Sequence, residues 1–198
     1  IVYQNKNNYL LHTASTMKAV STPVILDKLG KNYQLTTGFY KSDNNIYLKL
    51  TGDPLLTSNK LEELVLKLKD EGITEIKNYL FIDSSIIDNK PWGVGWMWDD
   101  ANNPHMPKYN AYNINRNLIT LNITPTRPNS SPEVSLNTSY RPTIINMAKT
   151  HNKKNNITAK RKVWQDNEAI FIEGGISKTE KKNIPVGNPE NQFKSILK

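Results

Sequence analysis

The chain has 198 residues, enough to bury a core as one large domain or two small ones. A hydrophobic fraction of 37% predicts a polar surface, whereas 4 Trp, 9 Tyr and 4 Phe exclude a disordered chain. Cysteine is absent, which excludes disulfides and thiolate metal sites, and no apolar run approaches the roughly eighteen residues of a membrane span. The sequence shows no export leader at its start, so we expect any export signal to have been removed or to lie outside this sequence. Because it opens at Ile1–Tyr3, which resembles the middle of a strand, we expect it to be a piece of a longer protein.

The net charge of +8 favours anionic partners. The densest basic run lies at residues 149–162, with Trp164 as its nearby stacking residue, and it contains no recognised nucleic-acid motif. We therefore predict a solvated basic loop and no nucleic-acid partner. The three histidines show no ligand spacing, so we predict no metal site and no cofactor: His12, His105 and His151.

The first predicted elements are a short strand at Ile1–Tyr3 and a helix over Ser15–Leu29. In the helix, apolar residues recur at spacings of three and four: Met17, Val20, Val24, Ile25 and Leu29. Pro23 lacks an amide donor and should kink the helix. Gly30 stands where a helix end favours a left-handed residue.

Two strands and a second helix follow. Tyr33–Tyr40 and Ile46–Leu50 are predicted strands around the turn Ser42–Asn45. Asn59–Glu71 is the clearest helix, because leucine and valine form one stripe and charges fill the opposite face, and Gly72 ends it.

The remaining elements alternate with polar or aromatic loops. Tyr79–Ile82 is a predicted buried strand, and Pro91–Pro107 is a loop rich in tryptophan. Leu118–Ile123 and Ile170–Glu173 are predicted strands with a polar region between them, and Gln192–Lys198 begins a helix. Strands before and after isolated helices predict the α+β class.

Ser15 and Lys18 form an S-x-x-K motif that has a chemical reason to exist. Residues three apart share a helix face, so the hydroxyl and the amine come together. A serine hydroxyl needs an adjacent base, and lysine can be that base when it is neutral. The alternative is that Ser15 is a helix cap and Lys18 is solvated. Ser195–Lys198 matches the same pattern, and we interpret that match as accidental.

The surroundings of the motif resemble the active-site helix of low-molecular-mass penicillin-binding D-alanyl-D-alanine carboxypeptidases, in the branch with a large insertion after this helix. Similar blocks continue in family order over about residues 9–123 and are weaker beyond Pro125, except near Ile184–Val186. The blocks after the helix are Ile46–Leu56, Gly72–Ile76, Leu80–Ser85, Gly95–Asp100, Tyr109–Ala111 and Asn115–Asn117.

This resemblance implies a fold and a domain order. The fold is part of a penicillin-recognising serine transferase and β-lactamase-like catalytic domain, plus inserted domains that are largely β. Residues 1–30 are expected to belong to the catalytic domain and 31–117 to a first inserted domain. Residues 118–183 would then be a nested β-rich domain, and 184–198 the return to the first inserted domain.

The resemblance also implies an activity. Ser15 would attack the carbonyl between two terminal D-alanines of a peptidoglycan stem, with Lys18 as proton acceptor and the Ser15 amide as one oxyanion donor. Endopeptidase-like chemistry is the variant on the same acyl-enzyme, and β-lactams would acylate the same serine. The expected location is outside the cytoplasm, in the periplasm or cell envelope. The sequence does not predict an oligomeric state.

Two further site residues come from the resemblance. Asp100 would contact the amino group on the diamino acid of the stem peptide, and Tyr109 would line the same region. A helix cap or a surface salt bridge is an equally open interpretation of Asp100. Trp96 and Trp98 are expected to pack between domains, and the turn at Gly52–Pro54 is expected to be structural.

The family also uses S-x-N and K-T-G motifs, which follow the insertion. Three similar tripeptides are interpreted as chance matches: Ser42–Asn44, Ser135–Asn137 and Lys178–Glu180. We therefore expect this chain alone to be inactive. A non-catalytic module that binds peptidoglycan or anionic envelope polymers remains the alternative function. A β-lactamase-like hydrolase also shares S-x-x-K, although the long insertion argues against it.

Overall fold

A computed structural model describes residues 3–5, 8–88, 90–153, 155–162 and 169–198. The chain divides into two compact units, Ile1–Leu35 and Thr36–Lys198. The described residues form helices and both parallel and antiparallel strands, which confirms the predicted α+β class. The strand predicted at Ile1–Tyr3 falls largely outside the described residues.

The first unit contains one helical stretch. A 3-10 helix, Ala14–Met17, leads directly into helix α1, Lys18–Leu29, so the predicted helix is confirmed with a tighter first turn. The helix runs unbroken through Pro23. Gly30 has a φ of 78° and donates its N–H to the Leu26 carbonyl, which confirms the predicted helix end. Neither helical segment buries a residue, and the apolar side chains of α1 are exposed.

The second unit begins with a three-stranded sheet. Strand β1, Gly38–Ser42, pairs antiparallel with β2, Asn45–Lys49, and β3, Leu80–Asp83, pairs parallel with β2. The strand predicted over Tyr33–Tyr40 is confirmed for residues 38–40 and wrong for residues 33–37, because the five residues of β2 all pair with Gly38–Ser42. The prediction that β3 is buried is also wrong. It lies at the sheet edge, where Phe81 is exposed.

Helix α2, Ser58–Asp70, covers the buried face of this sheet. Thr57 caps its first turn by accepting a hydrogen bond from the Lys60 N–H at 3.3 Å. Leu61, the first residue of the apolar stripe, is buried, and Gly72 follows the helix with a φ of 78°. The amphipathic helix predicted from the sequence is therefore confirmed to within one residue at each end.

Residues 118–185 form several small sheets. One sheet has the order β11-β4-β5, a second has the order β6-β9-β8, and β7 pairs with β10. The bounds are β4 Leu118–Thr124, β5 Glu133–Leu136, β6 Thr143–Asn146, β7 Lys149–Thr150, β8 Thr158–Arg161, β9 Ala169–Glu173, β10 Gly175–Ile176 and β11 Glu180–Pro185. The predicted strands at β4 and β9 are confirmed. The intervening strands β5 to β8, which the sequence predicted only as a polar region, are two to four residues long.

Helix α3, Pro189–Leu197, ends the described chain. The predicted start at Gln192 is three residues late, because Asn188 caps the helix and proline is well suited to a first helical position. Phe193 is fully buried and places α3 in the same apolar cluster as β2 and α2.

Two apolar clusters form the core of the second unit. One lies around β2, α2 and α3, with Leu48, Leu61 and Phe193 among its members. The other lies among the small sheets and includes Leu121 and Ile172. Among the described residues, no helix is both long enough and apolar enough to cross a membrane.

Candidate active site

Ser15 and Lys18 lie one turn apart at the start of the helical stretch in the first unit. Ser15 belongs to the 3-10 helix, and Lys18, the first residue of α1, donates its N–H to the Ser15 carbonyl. Residues three apart nearly eclipse each other in 3-10 geometry, so both side chains lie on one face. Both residues are exposed, and in the part of the chain that the structure describes no hydrogen bond joins the hydroxyl to the ammonium.

The backbone around Ser15 is sharply turned. Ala14 has a φ of 43°, a region that residues with a side chain seldom occupy. Two residues further on, both the N–H and the hydroxyl of Thr16 donate to the Thr13 carbonyl. The Ser15 N–H has no acceptor among the described residues, as is usual for a first-turn amide. Ser15 is thus presented with a free amide beside its hydroxyl.

Asp100 lies in the second unit, within a 3-10 helix over Trp98–Asn102. Its Oδ2 accepts a hydrogen bond from the Met97 N–H at 2.8 Å, and its own N–H donates to the Met97 carbonyl at 3.1 Å. The carboxylate therefore caps the first turn of this helix, as one interpretation of the sequence predicted. No ion pair of Asp100 is found among the described residues. The side chain is half-buried. The cap uses one carboxylate oxygen, and the second oxygen has no protein partner in the described chain.

Tyr109 is 44% exposed, and its hydroxyl donates to the Gly52 carbonyl at 2.9 Å. Burial raises the pKa of Tyr109, and the nearby negative charge of Asp53 raises it further. The phenol therefore stays protonated at neutral pH and remains a donor. The predicted substrate-lining residue thus has a structural contact of its own.

The turn that Tyr109 holds is tightly packed. Gly52 has a φ of 69°, and a Cβ there would lie 2.4 Å from Cδ1 of Ile87 and 3.0 Å from the Tyr109 hydroxyl. The Asp53 carboxylate accepts from the Leu55 N–H at 2.8 Å, and the Asn113 side chain donates to the Asp53 carbonyl at 3.1 Å. These contacts confirm that this turn is structural.

Sequence reasoning missed a run of left-handed residues after this segment. Asn115, Arg116 and Asn117 have φ values of 50°, 59° and 52°. The Asn115 side chain bonds to both the N–H and the hydroxyl of Ser58. The buried Asn117 side chain accepts from Ile114 and donates to the Lys108 carbonyl. The available signal was asparagine on both sides of Arg116, since asparagine tolerates this conformation better than most residues.

The basic run at residues 149–162 is only partly a solvated loop. Lys153 and Lys160 are exposed, but Arg161 ends strand β8, is half-buried and donates to the Ala101 carbonyl at 3.0 Å. The prediction is therefore wrong for Arg161, because its backbone N–H and carbonyl also bond to the Asn102 side chain, in the 3-10 helix of Asp100. Burial lowers the pKa of Arg161. Trp164 lies outside the described residues.

The segments interpreted from sequence as chance motif matches lie in a turn, in strands, in a loop and in a helix. Ser42–Asn44 forms the end of β1 and its two-residue turn, where Asp43 has a φ of 53°. Ser135 lies in β5, Lys178 lies between β10 and β11, and Ser195 lies in α3. Within the described ranges, no group of three His, Asp or Glu side chains could hold a metal ion.

Comparisons with known proteins give a consistent family. The model of the D-Ala-D-Ala carboxypeptidase 3 (S13) family matches residues 1–198. The D-alanyl-D-alanine carboxypeptidase DacB of Haemophilus influenzae is 30% identical over a 123-residue alignment, which covers 58% of this chain and 26% of that protein.

Solved structures share the fold. Penicillin-binding protein 4 (dacB) from Haemophilus influenzae gives a TM-score of 0.73 at 21% identity, over 94% of this chain and 44% of that one. The same protein in complex with a novel β-lactam gives a TM-score of 0.64 at 20% identity, over 93% and 41%. The chain therefore spans less than half the length of these relatives.

Proposed function

The chain belongs to the D-Ala-D-Ala carboxypeptidase 3 (S13) family, and from this premise we propose that the full-length protein carrying it is a serine-type D-Ala-D-Ala carboxypeptidase. Its substrates are peptidoglycan stem peptides, and β-lactams acylate the same serine. The observation that carries the proposal is the placement of Ser15 and Lys18 on one face of a helix start, with the Ser15 amide free of any acceptor among the described residues.

The proposed reaction is acyl transfer. The Ser15 hydroxyl oxygen attacks the carbonyl carbon between the two D-alanines, and its proton passes to the Lys18 amine. The carbon–nitrogen bond then breaks, and D-alanine leaves with the proton returned to its nitrogen. Water hydrolyses the resulting ester, which releases the shortened stem and restores the Ser15 hydroxyl. Endopeptidase-like chemistry forms the same kind of ester when a cross-link amine departs in place of D-alanine. Transfer chemistry follows when an incoming amine attacks the ester in place of water.

Residues outside this chain complete the proposed site. Helix α1 exposes its apolar residues, which supports the proposal that another part of the full-length protein packs against it. We propose that the two S-x-N tripeptides of the chain, and the K-T-E tripeptide that resembles K-T-G, are chance matches, and that these 198 residues alone are inactive.

The domain order inferred from the sequence is kept as a proposal. Two separate apolar clusters support a first inserted domain and a nested domain, proposed at 31–117 and 118–183. Phe193 packs in the same cluster as Leu48 and supports a return to the first inserted domain, proposed at 184–198, whereas Ile184 and Val186 still pack in the cluster of Leu121. The proposed location is the periplasm or cell envelope, where the substrate lies.

The test uses the full-length protein and a fluorescent penicillin. Wild-type protein should be labelled, with the adduct mapped by mass spectrometry to the peptide containing Ser15. Ser15→Ala should abolish labelling, and Lys18→Met should slow it by at least about a hundredfold, because the proton acceptor is lost. The matched control is Ser42→Ala, in the turn that resembles S-x-N, which should label within about twofold of wild type.

Two results would contradict this proposal. Labelling that survives Ser15→Ala would place the nucleophile elsewhere. A folded full-length protein that neither labels nor releases D-alanine, but binds peptidoglycan, would favour the non-catalytic module instead.

We also propose that Asp100 recognises the free amino group of the stem peptide. The support is a half-buried carboxylate that is fixed through one oxygen by Met97 and keeps the other available. A carboxylate–ammonium contact is worth about 1.5–3 kcal/mol. Asp100→Asn should therefore lower kcat/KM about 10- to 150-fold for a substrate bearing that amino group.

The control substrate is a short acyl-D-Ala-D-Ala without the amino group. Its hydrolysis should barely change in Asp100→Asn, and the melting temperature should hold. If both substrates suffer equally and the protein melts earlier, Asp100 acts only as the helix cap.

A further inference from the structure

A side chain of the Asp100 turn pairs with the backbone of strand β8. The Asn102 Nδ2 donates to the Arg161 carbonyl at 3.1 Å, and the Asn102 Oδ1 accepts from the Arg161 N–H at 2.7 Å. A side-chain amide carries a donor and an acceptor side by side, as a peptide group does. Asn102 therefore occupies both backbone groups of one strand residue, as a neighbouring strand would.

The Arg161 side chain makes a third bond to the same turn. Its Nη2 donates to the Ala101 carbonyl at 3.0 Å, so the guanidinium lies at the last turn of the 3-10 helix, where carbonyls lack intrahelical partners. A cation is favourable at that end of a helix. Arg161 thus contacts the turn through its backbone and its side chain together.

This guanidinium has no evident role in the stability of its own sheet. No carboxylate forms an ion pair with Arg161 in the described part of the chain, and its Nε is buried without a partner there. Burial lowers the pKa of Arg161, because the charged form loses water. In the described structure the guanidinium makes one bond, to the Ala101 carbonyl, and the Arg161 backbone adds two bonds to the Asn102 side chain of the same short helix.

The turn needs an external support. It spans Trp98–Asn102, and 3-10 hydrogen bonds are poorly aligned, so a helix this short does not fix its own orientation. Asp100 caps its start through Met97, whereas Ala101 and Asn102, at its end, bond to Arg161. Along the chain, Asp100 therefore lies between Met97, to which it bonds, and the two residues that bond to Arg161.

We propose that Arg161, together with Asn102, is a positioning residue for substrate recognition: strand β8 holds the 3-10 helix so that the free oxygen of Asp100 faces the stem-peptide ammonium. The inference rests on the proposed role of Asp100. It gives the region of small sheets a function in specificity without any contact to substrate.

The test compares two variants that each remove one positive charge from strand β8 in the full-length protein. Arg161→Met keeps the aliphatic stem and removes the guanidinium. Lys160→Met is the matched control, because Lys160 is adjacent and exposed. For the substrate with the free amino group, Arg161→Met should lower kcat/KM about 5- to 20-fold, since small displacements of a positioned group are costly. For the substrate without it, both variants should stay within about twofold.

A double-mutant cycle shows whether Arg161 acts through Asp100. In an Asp100→Asn background, adding Arg161→Met should cause little further loss of selectivity, because the two changes remove the same contact. Arg161→Lys keeps a cation that can donate to the Ala101 carbonyl, so it should recover part of the selectivity. This conservative variant also keeps the test decisive if Arg161→Met fails to fold.

The outcomes separate the two proposals. If Asp100→Asn is selective but the Arg161 variants change neither substrate, or change both equally, the positioning role is overturned and recognition by Asp100 stands. If Asp100→Asn is itself without selective effect, the recognition proposal fails and the positioning role falls with it.

Discussion

In the first unit, the helix that carries Ser15 and Lys18 buries none of its residues, and no hydrogen bond joins the two side chains among the described residues. In the second unit, the side chains of Asp100 and Tyr109 are each bonded to backbone groups of the chain. The first pair depends on local spacing, whereas the second depends on contacts that fix each side chain in the fold. A substitution should therefore have a local effect in the first region and a distributed effect in the second.

Two glycines with similar φ angles test this difference most strongly. Gly30 and Gly52 have φ values of 78° and 69°, but only Gly52 has neighbours where a Cβ would go. Gly52→Ala should lower the free energy of unfolding by about 2–5 kcal/mol, from backbone strain and the clash with Ile87. Gly30→Ala should cost about 1–3 kcal/mol, from strain alone, because a φ of 78° with a ψ of 160° is a conformation almost restricted to glycine. Urea denaturation of the 198-residue chain measures both.

Hydrogen exchange would locate these losses. Gly52→Ala should raise exchange in the segment around Tyr109 as well as in the turn itself, because the two are bonded. Equal losses of stability for the two substitutions would show that Ile87 moves aside from the new Cβ at little cost. The expected difference between the first and second units would then be contradicted.

A smaller effect is expected at Tyr109. Tyr109→Phe removes the bond to Gly52 and should cost about 0.5–1.5 kcal/mol at about pH 8. The matched control is Tyr79→Phe, at a tyrosine that is 65% exposed, which should change stability by less than about 0.5 kcal/mol.

The same variant has a pH signature. Because burial raises the pKa of Tyr109 in the folded state, the stabilisation from the protonated phenol is fully present below the ordinary tyrosine value of about 10. It is lost as the pH rises through the raised pKa. The stability difference between wild type and Tyr109→Phe should therefore be constant below about pH 9, shrink from about pH 10 up to the raised pKa, and level off above it. A stability difference that grows with pH would contradict the assignment of burial as the cause that raises the pKa of Tyr109.

The elements predicted well from sequence are those whose pattern is local and long. Helix α2 shows a full apolar stripe and a glycine stop, and β4 alternates buried and half-buried residues along most of its length. The missed strands are two to four residues long, apart from β11, whose first four residues are all polar or charged. Their identity depends on pairing with distant partners, which no short window reveals.

The candidate site divides in the same way. The S-x-x-K spacing implies a shared helix face, so Ser15 and Lys18 could be placed from sequence alone. The cap formed by Asp100 was foreseen as an alternative. The bonds of Tyr109 to Gly52 and of Arg161 to Ala101 join residues 57 and 60 positions apart, and no spacing rule predicts such pairs.

The left-handed run at Asn115–Asn117 has a consequence for the chirality of the chain. Their positive φ angles are those of a left-handed helix, the mirror image of the usual one. L-amino acids adopt this conformation at a steric cost. At Arg116, which is exposed, a chemically synthesised chain could carry the D-enantiomer and avoid that cost. Inverting Asn115 or Asn117 would move side chains that bond to Ser58 and Lys108. At Arg116 this turn thus has the backbone conformation that a D-residue would prefer. The side-chain bonds of Asn115 and Asn117 hold the turn in place.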